Sequence, residues 1–146
     1  MNANGILQEV EIHAVAGLLK RYLKKLPDPV IPFSQYETFL SVAKQAVSHS
    51  SAKQQQNDFK LKQFKKLIDQ GALPRANLQT LKIMCLHLNR VIACEKFNKM
   101  TFGSIATIFS PTLMRDESGD PNKEVGDLGM KLSVIDFLVR YHESLI

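Results

Sequence analysis

The chain has 146 residues, the usual size of one domain, and its 45% hydrophobic and 23% charged residues exclude wholesale disorder. It has no apolar run of about eighteen residues and so no membrane span, and MNANGILQ at the start lacks the basic and apolar parts of a signal peptide; a cytoplasmic protein is expected. The net charge of +5 suits an acidic protein, an anionic lipid surface or nucleic acid, and much of it clusters in Lys20–Lys25 and Lys60–Lys66.

From Glu9 to Leu26, Ile12, Val15, Leu19, Tyr22, Leu23 and Leu26 recur at helical spacing and predict one buried face. Lys20 and Lys24 lie four apart on another side, and Pro27 and Pro29 stop the helix. A second helix is expected from Ser34, with a Ser34–Glu37 capping box and Tyr36, Phe39, Leu40, Ala43 and Val47 inward. SHSSAKQQQN, from Ser48 to Asn57, reads as a loop or frayed helix end. A third helix follows from Asp58 to Gln70, with Gly71 as its C-terminal cap.

Pro74 opens a fourth helix reaching Glu95, with Leu78, Leu81, Cys85, Leu88 and Ile92 on its face. If Cys85 and Cys94 share that helix they point about 180° apart, which excludes a mutual disulfide; both are expected as buried free thiols. Thr101 caps a short helix ending before Ser110-Pro111, and Arg115 to Gly126 reads as a loop. The last helix, Asp127 to Ser144, is expected to bury Leu128, Leu132, Ile135, Leu138 and Val139. No stretch alternates as a strand would. The fold class is all-α, a bundle of about six helices.

Enzymatic and metal chemistry find no purchase. His13, His49, His87 and His142 lack ligand spacing, the glycines make no phosphate-cradling loop, and no serine sits in a nucleophile elbow. The basic clusters lack the interleaved aromatics of a nucleic-acid binder, so no nucleic acid is expected. Lys60, Lys62, Lys65 and Lys66 read as a solvated face, with an anionic-membrane patch as the other reading.

Two stretches carry the functional information: LLKRYLKKLPDP, from Leu18 to Pro29, and NKMTFGSIATIFSPTL, from Asn98 to Leu113. Together they resemble the paired signature LLKxxLRxLPxPL and NKMTxxNLAxxFxPTL of the RhoGAP family, helical domains that dock on Rho-type GTPases and speed GTP hydrolysis. LPRANLQTLKIMCLHLNRV, from Leu73 to Val91, looks like that family's central helix, and VIDFLV, from Val134 to Val139, like its last. The resemblance implies one RhoGAP-like domain over residues 1–146, a Rho/Rac-type small GTPase as partner, and Lys20, Lys24, Asn98 and Ser104 as GTPase-binding residues with Arg21 at the rim. Two of these positions depart from the family pattern. Lys24 replaces an arginine and loses its planar fork; Ser104 replaces an asparagine and offers one donor instead of two.

The family's arginine finger sits in a G-[IL]-[FY]-R-x-x-G context, which residues 1–146 do not contain. The arginines are Arg21, Arg75, Arg90, Arg115 and Arg140, and Arg21 is the one candidate substitute. Such a finger is worth ~10³–10⁵ in rate, roughly 4–7 kcal/mol. The resemblance therefore implies an N-terminally truncated or non-standard member: a regulator of a GTPase rather than an enzyme, with activating power weak or absent. It needs no cofactor of its own, since GTP and magnesium belong to the partner. Lost N-terminal helices would uncover apolar side chains, and a homo-oligomer is one way to cover them. The alternatives are an active GTPase activator using Arg21 or an arginine supplied from elsewhere, and a basic helical module that binds anionic membrane or an acidic protein.

Overall fold

In the computed structural model residues 12–146 are described, and every regular element among them is a helix. Six helices carry the architecture: α1 (Ile12–Lys24), α2 (Phe33–His49), α3 (Lys53–Asp69), α4 (Arg75–Ala93), α6 (Phe102–Leu113) and α7 (Pro121–Arg140). Two four-residue helices, α5 (Glu95–Asn98) and α8 (His142–Leu145), complete the chain. The expected all-α bundle is the one found. Residues 9–11, expected to open α1, lie outside the described residues. No described helix is long and apolar enough to cross a membrane.

The longest helix, α7, is the hub and packs on α2, α4, α6 and α8; α3 lies against α2 and α8, and α1 rides on α6. One core runs through these contacts, built on Phe39, Leu40, Phe64, Leu81, Leu88, Leu113, Ile135 and Leu138. Phe39 and Phe64 stack with ring centroids 5.6 Å apart and join α2 to α3.

Several boundaries depart from the sequence reading. The Ser34–Glu37 capping box does not form: Pro32 precedes the helix, and Asp28 reaches from the loop to accept from Phe33 N at 2.8 Å. Glu37 is thereby free to pair with Lys123. Helix α3 begins at Lys53, so KQQQN is helical, because lysine and glutamine form helix well wherever the face meets water. Helix α6 runs through Pro111 to Leu113. Burial of Ser110, Thr112 and Leu113 holds this last turn against the one backbone bond that proline removes. Pro121 sits in the first turn of α7, whose start Asp120 caps by accepting from Asn122 N at 3.0 Å, so the expected loop shrinks.

Other local signals hold. Gly71 (φ 81°) ends α3 with the paired bonds Gly71 N to Ile68 O and Ala72 N to Leu67 O, a left-handed cap. Thr101 caps α6, accepting from Ser104 N at 3.1 Å while Ser104 Oγ accepts from Thr101 N at 2.9 Å.

Ile12, Tyr22, Val47 and Leu128, expected on inward helix faces, are exposed. Ile12 and Val47 lie at helix ends, beyond the packed turns. Tyr22 stands at the margin of the α1 stripe. Leu128 is displaced because the inward face of α7 is polar in its first half.

That polar face forms a charged network. The Lys131 side chain is 1% exposed and donates to Glu124 Oε2, whose other oxygen accepts from Asp116 N at 2.9 Å. Lys123 bridges Asp116 and Glu37, and Tyr36 donates to Asp127 Oδ2 at 2.9 Å. Burial and then the Asp127 bond raise the Tyr36 hydroxyl far above its ordinary pKa.

Cys85 is buried as expected, but Cys94 is exposed because it falls between α4 and α5 rather than on a continuous helix. Burial pushes the Cys85 thiol up to about 12. The folded chain is therefore expected to release one equivalent with a dithiobenzoate reagent and a second only in denaturant. Two equivalents under native conditions would contradict this packing.

Candidate functional site

Helix α1 presents distinct sides. At 100° per residue Lys20 and Lys24 share one flank, Leu18 and Tyr22 the other, and Arg21 and Lys25 stand on the outward crest. Leu23 is the buried anchor, with Leu19 and Leu26 packed against the core. Lys20 is half-buried, while Arg21 and Lys24 are exposed. Among the described residues none of the three has a side-chain ion pair or hydrogen bond.

The segment after α1 is bolted in place. Arg115 donates to Lys24 O at 2.8 Å and to Leu26 O, and its guanidinium lies 5.3 Å from the Phe33 ring centroid. Ile31 N donates to Leu113 O at 3.0 Å, and Asn77 Nδ2 to Val30 O at 2.9 Å. These bonds tie the C-terminal end of α1 to that of α6, so the two helices leave a shared end. Ser104 then lies about 8 Å farther from that end than Lys20 along the helix axes. Arg115 was not picked out from the sequence, where it reads only as the start of a loop.

Asn98 and Ser104, expected as docking contacts, are both engaged internally. Asn98 Nδ2 donates to Val91 O and its Oδ1 accepts from Met100 N, each at 2.8 Å. These bonds hold the turn in which Lys99 adopts the left-handed region (φ 63°). The Ser104 hydroxyl lies 2.8 Å from Thr101 Oγ1 inside the capping box. Lys20, Arg21 and Lys24 thus lie on α1 and Ser104 near the start of α6, on two helices that pack against each other. Asn98 stands apart on α5, where it sets the connection that delivers α6.

No group of histidine, cysteine and carboxylate side chains among the described residues could hold a metal. The Lys60–Lys66 cluster divides. Lys62, Lys65 and Lys66 are exposed, but Lys60 turns inward and donates to Ser133 Oγ at 2.8 Å, which corrects its assignment to a solvated face. Burial holds the Lys60 ammonium below the ordinary lysine pKa, against the opposing pull of Asp136.

A small helical domain with a cationic helix fastened to a capped partner helix is the class of molecule that these features define. The RhoGAP domain matches residues 2–118, and the chain belongs to that family. It is 34% identical to mouse (Mus musculus) Rho GTPase-activating protein 22 over 92% of its length, and 37% identical to human (Homo sapiens) Rho GTPase-activating protein 24 over 92%. It covers only 18% and 17% of those two relatives. Among solved structures, human Rho GTPase activating protein 15 superposes with a TM-score of 0.78 at 25% identity, covering 93% of this chain and 59% of that one. The BH domain from Graf, the GTPase regulator associated with focal adhesion kinase, gives 0.77 at 27% identity, covering 94% and 67%.

Proposed function

We propose that the α1–α6 face binds a Rho-type small GTPase, and that residues 1–146 by themselves speed its GTP hydrolysis weakly or not at all. Family membership supports a regulator of this kind. The observation that carries the docking reading is the free cationic set Lys20, Arg21 and Lys24 on a helix locked to α6 by Arg115 and the Ile31–Leu113 bond. Free, pre-positioned cations steer an acidic partner and fix its register. Weak acceleration follows from the arginine inventory. Arg140 lies over the Phe102 ring and pairs with Asp136, and Arg115 is a fastener. Among the described residues, Arg21 is the one arginine that combines a place on this face with a guanidinium that has no partner.

Binding to a panel of Rho-type GTPases loaded with GDP, a GTP analogue or GDP–aluminium fluoride tests the reading. The triphosphate-like forms are expected to bind at least about tenfold tighter than GDP. Equal binding of all three forms, or none, would remove it.

A further inference from the structure

A cleft of about 620 Å³ lies between α3, α6 and α7, and none of its lining residues belongs to α1. Lys53, Asn57 and Lys60 recur at four and three residues, which puts them on one face of α3 as a wall. Gly103, Ala106 and Thr107 make the opposite wall on α6. The floor is α7 from Gly129 to Arg140, about 16 Å of helix, with Leu132, Phe137 and the adjoining Tyr141 as its apolar surface.

Charge and shape in this groove point the same way. Arg140 is matched by Asp136 at 3.0 Å. Lys53 has no ion pair among the described residues, and Lys60 donates only to the neutral Ser133 hydroxyl while lying 5.6 Å from the Phe137 ring centroid. The groove is therefore cationic along its α3 wall, and along its floor the apolar Leu132, Phe137 and Tyr141 alternate with Ser133 and the Asp136–Arg140 pair. Gly129 lies inside a helix, where glycine is a weak choice, and a Cβ built there meets nothing within 4 Å. Internal packing does not call for glycine at this position; its absence of side chain keeps the groove open. A trough about three helical turns long, walled by two helices, takes an amphipathic segment better than a compact small molecule.

We propose that this groove docks an acidic amphipathic peptide segment of a partner protein, with apolar side chains on the α7 floor and carboxylates against Lys53 and Lys60. The assignment uses none of the α1 cations on which the GTPase reading rests, although its α6 wall, Gly103 and Thr107, flanks Ser104.

Selection from a display library of about twelve-residue random peptides on the folded chain, followed by fluorescence anisotropy of the winners, tests it. Selected peptides are expected to be rich in Asp and Glu, with apolar residues at helical spacing and binding that weakens as salt rises. Lys53→Glu and Gly129→Trp are each expected to weaken binding about tenfold, the first by charge and the second by filling the groove. Lys53 is exposed in the first turn of α3, where a glutamate suits the helix dipole, so its variant keeps the fold even if the tryptophan variant does not. Winners without acidic bias, or affinities unchanged within twofold in Lys53→Glu, would overturn the proposal. So would groove-dependent binding to phosphatidylserine vesicles, or a dimer abolished by Gly129→Trp, either of which gives the groove a different occupant.

Discussion

Replacing Glu124 with alanine is expected to destabilise the fold by about 3–5 kcal/mol, measured by urea denaturation. The Lys131 side chain is 1% exposed, and among the described residues Glu124 is its only carboxylate partner within salt-bridge distance. Removing the carboxylate leaves a cation with neither water nor a counter-charge, and it also strips Asp116 N of its acceptor. The reverse change is expected to be much milder. In Lys131→Met the methionine stem fills the same space, while Glu124, 30% exposed, keeps solvent and the Asp116 bond. A similar cost for both variants would mean that Lys131 matters through packing and not through its charge.

The same network sets the behaviour in acid. The Lys123 bond, ahead of the Ser118 bond, holds the Asp116 carboxyl below the usual carboxylate range. A carboxyl whose folded pKa is depressed contributes stability above its unfolded pKa and loses it as pH falls through the folded value. Stability is thus expected to be full above the ordinary aspartate range, to fall as pH drops through that range, and to level off below the lowered folded value.

The second large effect is kinetic. Single-turnover GTP hydrolysis by a Rho-type GTPase, saturated with residues 1–146, is expected to stay within about tenfold of the GTPase alone. A working arginine finger gives ~10³–10⁵, so the gap to a full activator is roughly 4–7 kcal/mol of transition-state stabilisation. On the proposed reading the cations of α1 bind and orient the partner. They would lower the barrier only by making contacts that strengthen as charge moves onto the transferred phosphoryl. Acceleration of a thousandfold or more would contradict this account and turn attention to Arg21. In that case Arg21→Ala should abolish the acceleration while leaving binding nearly unchanged.

Much of the architecture was legible because its signals are local. Pro27 and Pro29 close α1, Thr101 opens α6, and Gly71 ends α3, each through chemistry confined to a few residues. The misreadings share one cause: a partner distant in sequence, or water, decided the outcome. Asp28 displaced the Ser34–Glu37 box from across the loop, and Lys123 claimed Glu37 from 86 residues away. Polarity made residues 53–57 look like a loop, although a solvated helix face has the same composition. Lys131 gave no sign of burial, though Glu124 stands two turns earlier on the same face of α7 and was the available clue.

The residues proposed for docking could be named from the sequence, but which of them carry free groups could not. Among the described residues Lys20, Arg21 and Lys24 have no side-chain partner, whereas Asn98 and Ser104 hold turns and caps. Arg115, which fixes the direction of α1, acts on backbone carbonyls and leaves no side-chain pattern to read.

The most direct test is isothermal titration of the preferred GTPase, in its GDP–aluminium fluoride form, with the wild-type chain and with a Lys20→Glu/Lys24→Glu double variant. Lys24 is exposed, Lys20 is half-buried and neither belongs to the core, so circular dichroism should find the fold intact. The prediction is a loss of at least about a hundredfold in affinity, because two attractive contacts become repulsive ones. Unaltered affinity in a folded double variant would place the partner elsewhere on the molecule.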